Sequence, residues 1–127
     1  VNLTGPVALI SGLLPALRIS AQAGNEPFVV NISGVVAESP MAGLAAYSAT
    51  KAGLWAFDQA LSREVRKDGI RVIDARPGHT ETGLAGRAIA GVSPAFPAGM
   101  EPGWVADRIV SAILNGESDL PSSAFAR

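Results

Sequence analysis

Pro27-Phe28-Val29-Val30-Asn31-Ile32-Ser33, read as PFVVNIS, is the stretch that decides the fold. Phe28, Val29, Val30 and Ile32 form a short apolar run of the kind that builds a strand buried on both faces of a parallel sheet. IRVIDA, residues 70–75, predicts a second short strand. Between them, Leu44 to Lys67 reads as a long helix with Tyr47, Leu54, Phe57, Ala60, Leu61 and Val65 as its apolar positions. Arg63, Arg66 and Lys67 lie in its last turns, where cations suit the helix dipole. Gly69 is its stop. Strand, helix and strand in this order predict a βαβ unit and therefore a parallel sheet.

Upstream, Leu3 to Ala21 reads as a helix. Leu9, Leu13, Leu14 and Leu17 form its apolar stripe, Pro15 should kink it and Gly24 should end it. We expect it to be a buried helix. It carries no Lys or Arg ahead of the apolar run, and Gly5, Pro6, Ser11, Gly12 and Pro15 interrupt that run, which is short for a membrane span of about 20 apolar residues. Gly34 to Gly43 is a loop. Downstream, Arg76 to Met100 is rich in Gly, Pro and Ala and too long for a plain connection, so residues 83–103 read as a functional lid. Pro102 to Asn115 predicts a third helix closed by Gly116, and Leu120 to Phe125 a final strand. The fold class is α/β, with about three parallel strands and flanking helices.

Composition sets outer limits. The chain has 127 residues, 48% hydrophobic and 17% charged, with a formal net charge of −1. A nucleic-acid binder would carry a surplus of Lys and Arg to meet phosphates, which is absent here. With no cysteine there is neither a disulfide framework nor a thiolate metal site. His79 is the only histidine, and a lone His makes a poor metal site. A cysteine-free chain of this kind suits a reducing, cytoplasmic compartment.

The chemistry gathers at the carboxyl ends of the predicted strands, where open α/β sheets bind ligands. Tyr47 and Lys51 are four apart and share a helical face. A free tyrosine is mostly protonated at neutral pH, and an adjacent ammonium favours the phenolate. Tyr47 could then give a proton to a carbonyl oxygen or take one from an alcohol. Ser33, at the end of the first strand, could hold that oxygen. Asn2, expected in the first turns of the first helix, could carry a water to Lys51. Pro77-Gly78-His79-Thr80-Glu81-Thr82 adds a tight turn and two hydroxyls at the same edge. A hydride would complete a carbonyl/alcohol redox reaction, and no side chain supplies one, so a cofactor must.

Taken in order, VNLTGPV, FVVNIS, YSATKAG, RPGHTET and DLPSSAF resemble the C-terminal, catalytic half of the short-chain dehydrogenase/reductase family. The resemblance covers nearly the whole chain. It implies a partial doubly wound, Rossmann-like parallel sheet, with residues 1–127 as the C-terminal half of one domain and the N-terminal dinucleotide-binding half absent. It implies Tyr47 as general acid/base, Lys51 also holding the nicotinamide ribose, and Asn2 as a relay residue. Pro77, Gly78, Thr80 and Thr82 would contact the nicotinamide of NAD or NADP. The partners implied are a small carbonyl or alcohol substrate and further copies in a homodimer or homotetramer, the family commonly pairing through the two helices that come first here.

Two departures stand out. The family's catalytic serine lies thirteen residues before the tyrosine. Here Gly34 holds that place and Ser33 lies fourteen away, so either one extra loop residue restores Ser33 to the role or the site lacks its carbonyl anchor. The glycine-rich turn that lays a pyrophosphate on a helix N-terminus is also missing. The chain starts with Val, which suggests that something precedes it. A second reading is therefore open, a truncated, non-catalytic scaffold that self-associates through its apolar helices. A membrane-inserted or secreted form is a third.

Other side chains have ordinary expectations. Asp74 and Glu81 read as solvated or capping groups. Trp55 could face a partner helix. Met41, Phe96, Met100 and Trp104 could line a substrate pocket or pack as core.

Overall fold

The computed structural model describes residues 1–126. Its elements run α1 (Thr4–Gln22), β1 (Phe28–Ile32), α2 (Ala45–Val65), β2 (Arg71–Ala75), α3 (Pro102–Asn115) and β3 (Asp119–Leu120). One parallel sheet has the order β1-β2-β3. β2 is the centre, with Phe28 beside Arg71, Asn31 beside Asp74 and Ile32 beside Ala75. The crossover of α2 between two parallel neighbours gives the expected α/β arrangement.

Side chains alternate across the sheet and divide the core in two. Ile73 and Ala75 of β2 pack with Val105 and Ala112 of α3, Leu120 and Phe125. Val72 faces the other way, toward Ile10 of α1 and Leu61 and Val65 of α2. α1 and α2 therefore lie on one face and α3 on the other.

Helix ends follow local chemistry. Gly69 and Gly116 adopt left-handed conformations, with φ of 74° and 75°, directly after the helical segments they terminate. Glu101 caps α3 by accepting from the backbone N–H groups of Gly103 and Trp104, and Pro102 takes the first helical position, where its missing N–H costs nothing.

Several expectations change. β1 is an edge strand in this chain, not one buried on both faces: Phe28 is 44% and Ile32 50% exposed. Nor is α1 a buried helix. Ile10 is its one buried residue, while Leu9 and Leu13 of the predicted stripe stand in solvent. α1 is also 19 residues long with a mean hydropathy of 1.3, so by length and composition it could cross a membrane. The helix runs through Pro15 without a break. The loop after β1 contains a 3₁₀ turn, Val35–Ala37, whose Val36 and Ala37 are buried. The last strand stops at Leu120. Pro121 has no N–H to continue the ladder, and Ser122–Phe125 turn into a 3₁₀ helix.

Candidate active site

Tyr47 and Lys51 occupy the first two turns of α2, beyond the carboxyl end of β1. The Lys51 ammonium donates to the backbone carbonyl of Ile32, the last residue of β1, at 2.7 Å. The same nitrogen lies 5.8 Å from the centroid of the Tyr47 ring. One contact thus ties the lysine to the strand end and the other to the phenol. Burial pushes the Lys51 ammonium below its ordinary range, and the charge of Asp74 partly opposes this. Burial pushes the Tyr47 phenol above its ordinary value. The expected lowering of Tyr47 by the lysine is not found, because desolvation of the phenolate governs.

Ser33 is fully buried, and its hydroxyl donates to Asp74 Oδ1 at 2.9 Å. In this arrangement none of its surface is left for a substrate oxygen. Gly34 turns the chain there, with φ 82° and ψ 165°, a region almost confined to glycine. A Cβ at Gly34 would meet only the Pro77 carbonyl, at 3.9 Å, so backbone strain rather than space restricts the position. Asn2 lies ahead of α1, not in its first turns. Its neighbour Leu3 lies against Gly53, where an added Cβ would come within 3.1 Å of Leu3 Cδ2. This brings the start of the chain to the helical turn that follows Lys51. Among the described residues no hydrogen bond joins Asn2 to Lys51.

The Pro77–Thr82 segment leaves the carboxyl end of β2. Thr80 Oγ1 donates to the Gly78 carbonyl at 3.1 Å, while Thr82 is exposed. The lid is fastened at its base. Thr80 pairs with Met100, Met100 N donates to the His79 carbonyl at 2.8 Å, and Glu81 Oε1 accepts from Gly99 N at 2.7 Å. His79 stacks on Phe96 with ring centroids 4.8 Å apart. Met100 and Trp104 pack against the α3-side core, whereas Leu84, Ile89 and Val92 are exposed.

Sequence reasoning missed a buried polar layer beneath α2. Arg76 is almost fully buried and bonds three acids: Glu38 at 2.5 Å, Asp74 at 2.5 Å and Asp119 at 2.7 Å. Its guanidinium carbon lies 4.4 Å from the Trp55 ring centroid. Trp55 is half-buried with its ring against Arg76, and Asp74 is buried rather than solvated. Glu38 also accepts from Ser122, joining the loop after β1 to the end of the chain. The one signal available was the pairing of Asp74 and Arg76 at i and i+2, which places both on one face of a strand.

The donors present suit the nicotinamide–ribose end of a dinucleotide. Among the described residues the Tyr47 hydroxyl is engaged by no other group, and Lys51 uses one of three N–H bonds. Gly78 lets the backbone come close, a Cβ there meeting the Met100 methyl at 3.3 Å. The pyrophosphate end has no glycine-rich turn to receive it in this sequence.

An open parallel sheet with a Tyr–Lys pair at its carboxyl edge defines the class as half of a doubly wound α/β fold. The family model for short chain dehydrogenases matches residues 1–92, and the chain belongs to that family. It is 33% identical to a dehydrogenase/reductase SDR family protein 7-like of Anopheles gambiae, over 94% of this chain and 39% of the relative. It is 40% identical to the 3-oxoacyl-(acyl-carrier-protein) reductase FabG of Salmonella typhimurium, over 72% of this chain and 38% of that protein. A short-chain dehydrogenase from Sphingobium yanoikuyae, solved in complex with NADPH, superposes with a TM-score of 0.82 at 29% identity, over 98% of this chain and 47% of that one. The chain thus spans well under half the length of these curated relatives.

Proposed function

We propose that the protein, in its full length, is an NAD(P)-dependent oxidoreductase that interconverts a carbonyl and an alcohol. Residues 1–127 are its C-terminal catalytic half and residues 83–103 its substrate lid. The observation that carries this is the Lys51 ammonium held between the Ile32 carbonyl and the Tyr47 ring at the carboxyl end of β1. Tyr47 is the general acid/base. Its proton goes to the substrate oxygen in reduction and returns from the alcohol in oxidation. Lys51 keeps a positive charge beside the phenol and offers its remaining N–H groups to ribose hydroxyls. Pro77, Gly78, Thr80 and Thr82 meet the nicotinamide end, and Asn2 relays protons from solvent to Lys51. Ser33 is left out as a carbonyl anchor because its hydroxyl is spent on Asp74.

The nicotinamide cofactor supplies the hydride when bound. The NADPH complex of the Sphingobium relative supports a cofactor of this kind. The assay is oxidation of NADPH or NADH by the full-length protein across a panel of ketones and aldehydes. Carbonyl-dependent turnover with either cofactor supports the reading, and none across the panel counts against it.

A second reading is favoured by one observation. A groove of about 600 Å³ runs between α1 and the edge of β1, lined by Leu9, Leu13, Phe28 and Val30, and it is almost wholly apolar. Such a surface seeks cover. In a non-catalytic scaffold, copies of the chain would cover it for one another. Sedimentation decides: reversible self-association without cofactor binding favours the scaffold, and cofactor binding favours the enzyme. A cytoplasmic home accompanies the enzyme reading.

A further inference from the structure

The polar layer under α2 holds two acids that the proposed chemistry does not use. Asp58 lies on α2 two turns beyond Lys51 and is buried, as is Asp74 of β2. Asn31 Nδ2 donates to Asp58 Oδ1 at 2.6 Å. Ser33 and Arg76 both donate to Asp74 Oδ1. The other oxygen of each carboxyl, Oδ2, is buried without a donor. Asn31 sits beside Asp74 in the β1–β2 register, so its bond to Asp58 brings the two carboxyl groups into one patch, where Asp74 acts on Asp58.

We propose that Asp58 and Asp74 hold one proton between them, Asp58 as the acid donating to Asp74 as the carboxylate, and that this pair sets the charge facing Lys51. Two ionised carboxylates in contact, each with a bare buried oxygen, would repel and forfeit hydration. A single proton removes the repulsion and gives both oxygens a partner. Arg76 and Ser33 commit Asp74 as the carboxylate, whereas Asp58 has one neutral amide donor.

The surrounding charges agree. Lys51 reaches in from α2 and Arg76 from just past the end of β2, while Glu38 after β1 and Asp119 of β3 add two further acids to Arg76. Four carboxyls then face two cations, and one retained proton reduces the excess negative charge by half. Burial first, then the contact with Asp74, pushes Asp58 up to about 7 despite the Asn31 bond. Asp74 in turn supports the Lys51 cation. Asp58 is thus a positioning residue that acts on Lys51 through Asp74, and its bearing on catalysis rests on the reading of Lys51 above.

The test is ¹³C NMR of the full-length protein labelled at the aspartate carboxyl carbons, with ¹⁵N detection of the Lys51 ammonium. One aspartate should titrate near pH 7 and vanish in Asp58→Asn, whose amide can replace the lost donor and keep the fold. In Asp74→Asn the Asp58 midpoint should fall by at least about one unit. The Lys51 signal should follow the same midpoint in the parent protein and not in Asp58→Asn. Titration of every aspartate below about pH 5, or an Asp58 midpoint unmoved by Asp74→Asn, overturns the shared proton. A Lys51 signal that ignores the midpoint overturns the link to the lysine. No readout needs turnover, so failure of the oxidoreductase reading leaves this test standing.

Discussion

Arg76 and Trp55 stack, guanidinium carbon to indole centroid at 4.4 Å, while the same guanidinium bonds Asp74, Glu38 and Asp119. The contact joins α2, one turn after Lys51, to the residue that follows β2. Of the three acids only Asp74 is buried, and removing the cation strands it, at a cost of about 3–5 kcal/mol. Arg76→Met should therefore lower the midpoint of thermal unfolding sharply. Arg76→Lys should recover little of it, since an ammonium lacks the planar fork that meets three acceptors and stacks on the indole. A melt within a degree or two of the parent would refute this.

Ser33→Ala removes a donor from the buried Asp74 carboxylate. The expected cost is about 1–3 kcal/mol of stability. Turnover per folded molecule should change by no more than a few-fold. A loss of about 100-fold at unchanged stability would instead put Ser33 on the substrate oxygen.

The pH dependence of stability separates two groups. Asp58 binds its proton more tightly folded, near 7, than at its ordinary 3.8. Its stabilising contribution is complete below about pH 4 and drains away as pH rises to about 7. Glu38 behaves oppositely. Burial alone would raise it, but hydrogen bonds from Ser122 and Arg76 outweigh this and hold it below 4.5. Its contribution is lost as pH falls below that value. Denaturant midpoints from pH 3 to 8 should fall between about 4 and 7 in the parent, and Asp58→Asn should remove that fall. An unchanged slope in the variant would assign it elsewhere.

What the sequence made legible was local. α3 was readable to its last residue because Pro102 and Gly116 mark its two ends by backbone chemistry alone. The Tyr47–Lys51 pair was readable because helical spacing fixes it. The exposure of β1 was only partly so: a half-sheet implies an open edge, but Phe28 and Ile32 have the composition of a strand covered on both faces, and among the described residues no second neighbour pairs with β1. The role of Asp74 was hidden for a different reason. Its setting depends on Asn31 and Ser33, about forty residues upstream, and on α2 lying over that face. Polar residues in a short strand read as solvent-facing until the covering element is known.

Burial of Tyr47 also carries a kinetic expectation. With the phenol raised above its ordinary value, the acid form persists through neutral pH. Reduction, which needs the acid, should be flat from about pH 6 to 8, and oxidation, which needs the base, should rise with pH. Initial rates in both directions with saturating cofactor check this. A reductive rate that falls across that interval would mean that the lysine does lower the phenol in the working complex.

The most direct test of the central claim is Tyr47→Phe in the full-length protein, read as kcat together with the dissociation constant of NADPH or NADH. The phenyl ring preserves the packing over Lys51 and deletes only the proton-transferring oxygen. The account predicts a fall in kcat of about 10²–10⁴-fold with cofactor affinity nearly unchanged. Turnover within a few-fold of the parent would contradict it and remove Tyr47 from the chemistry.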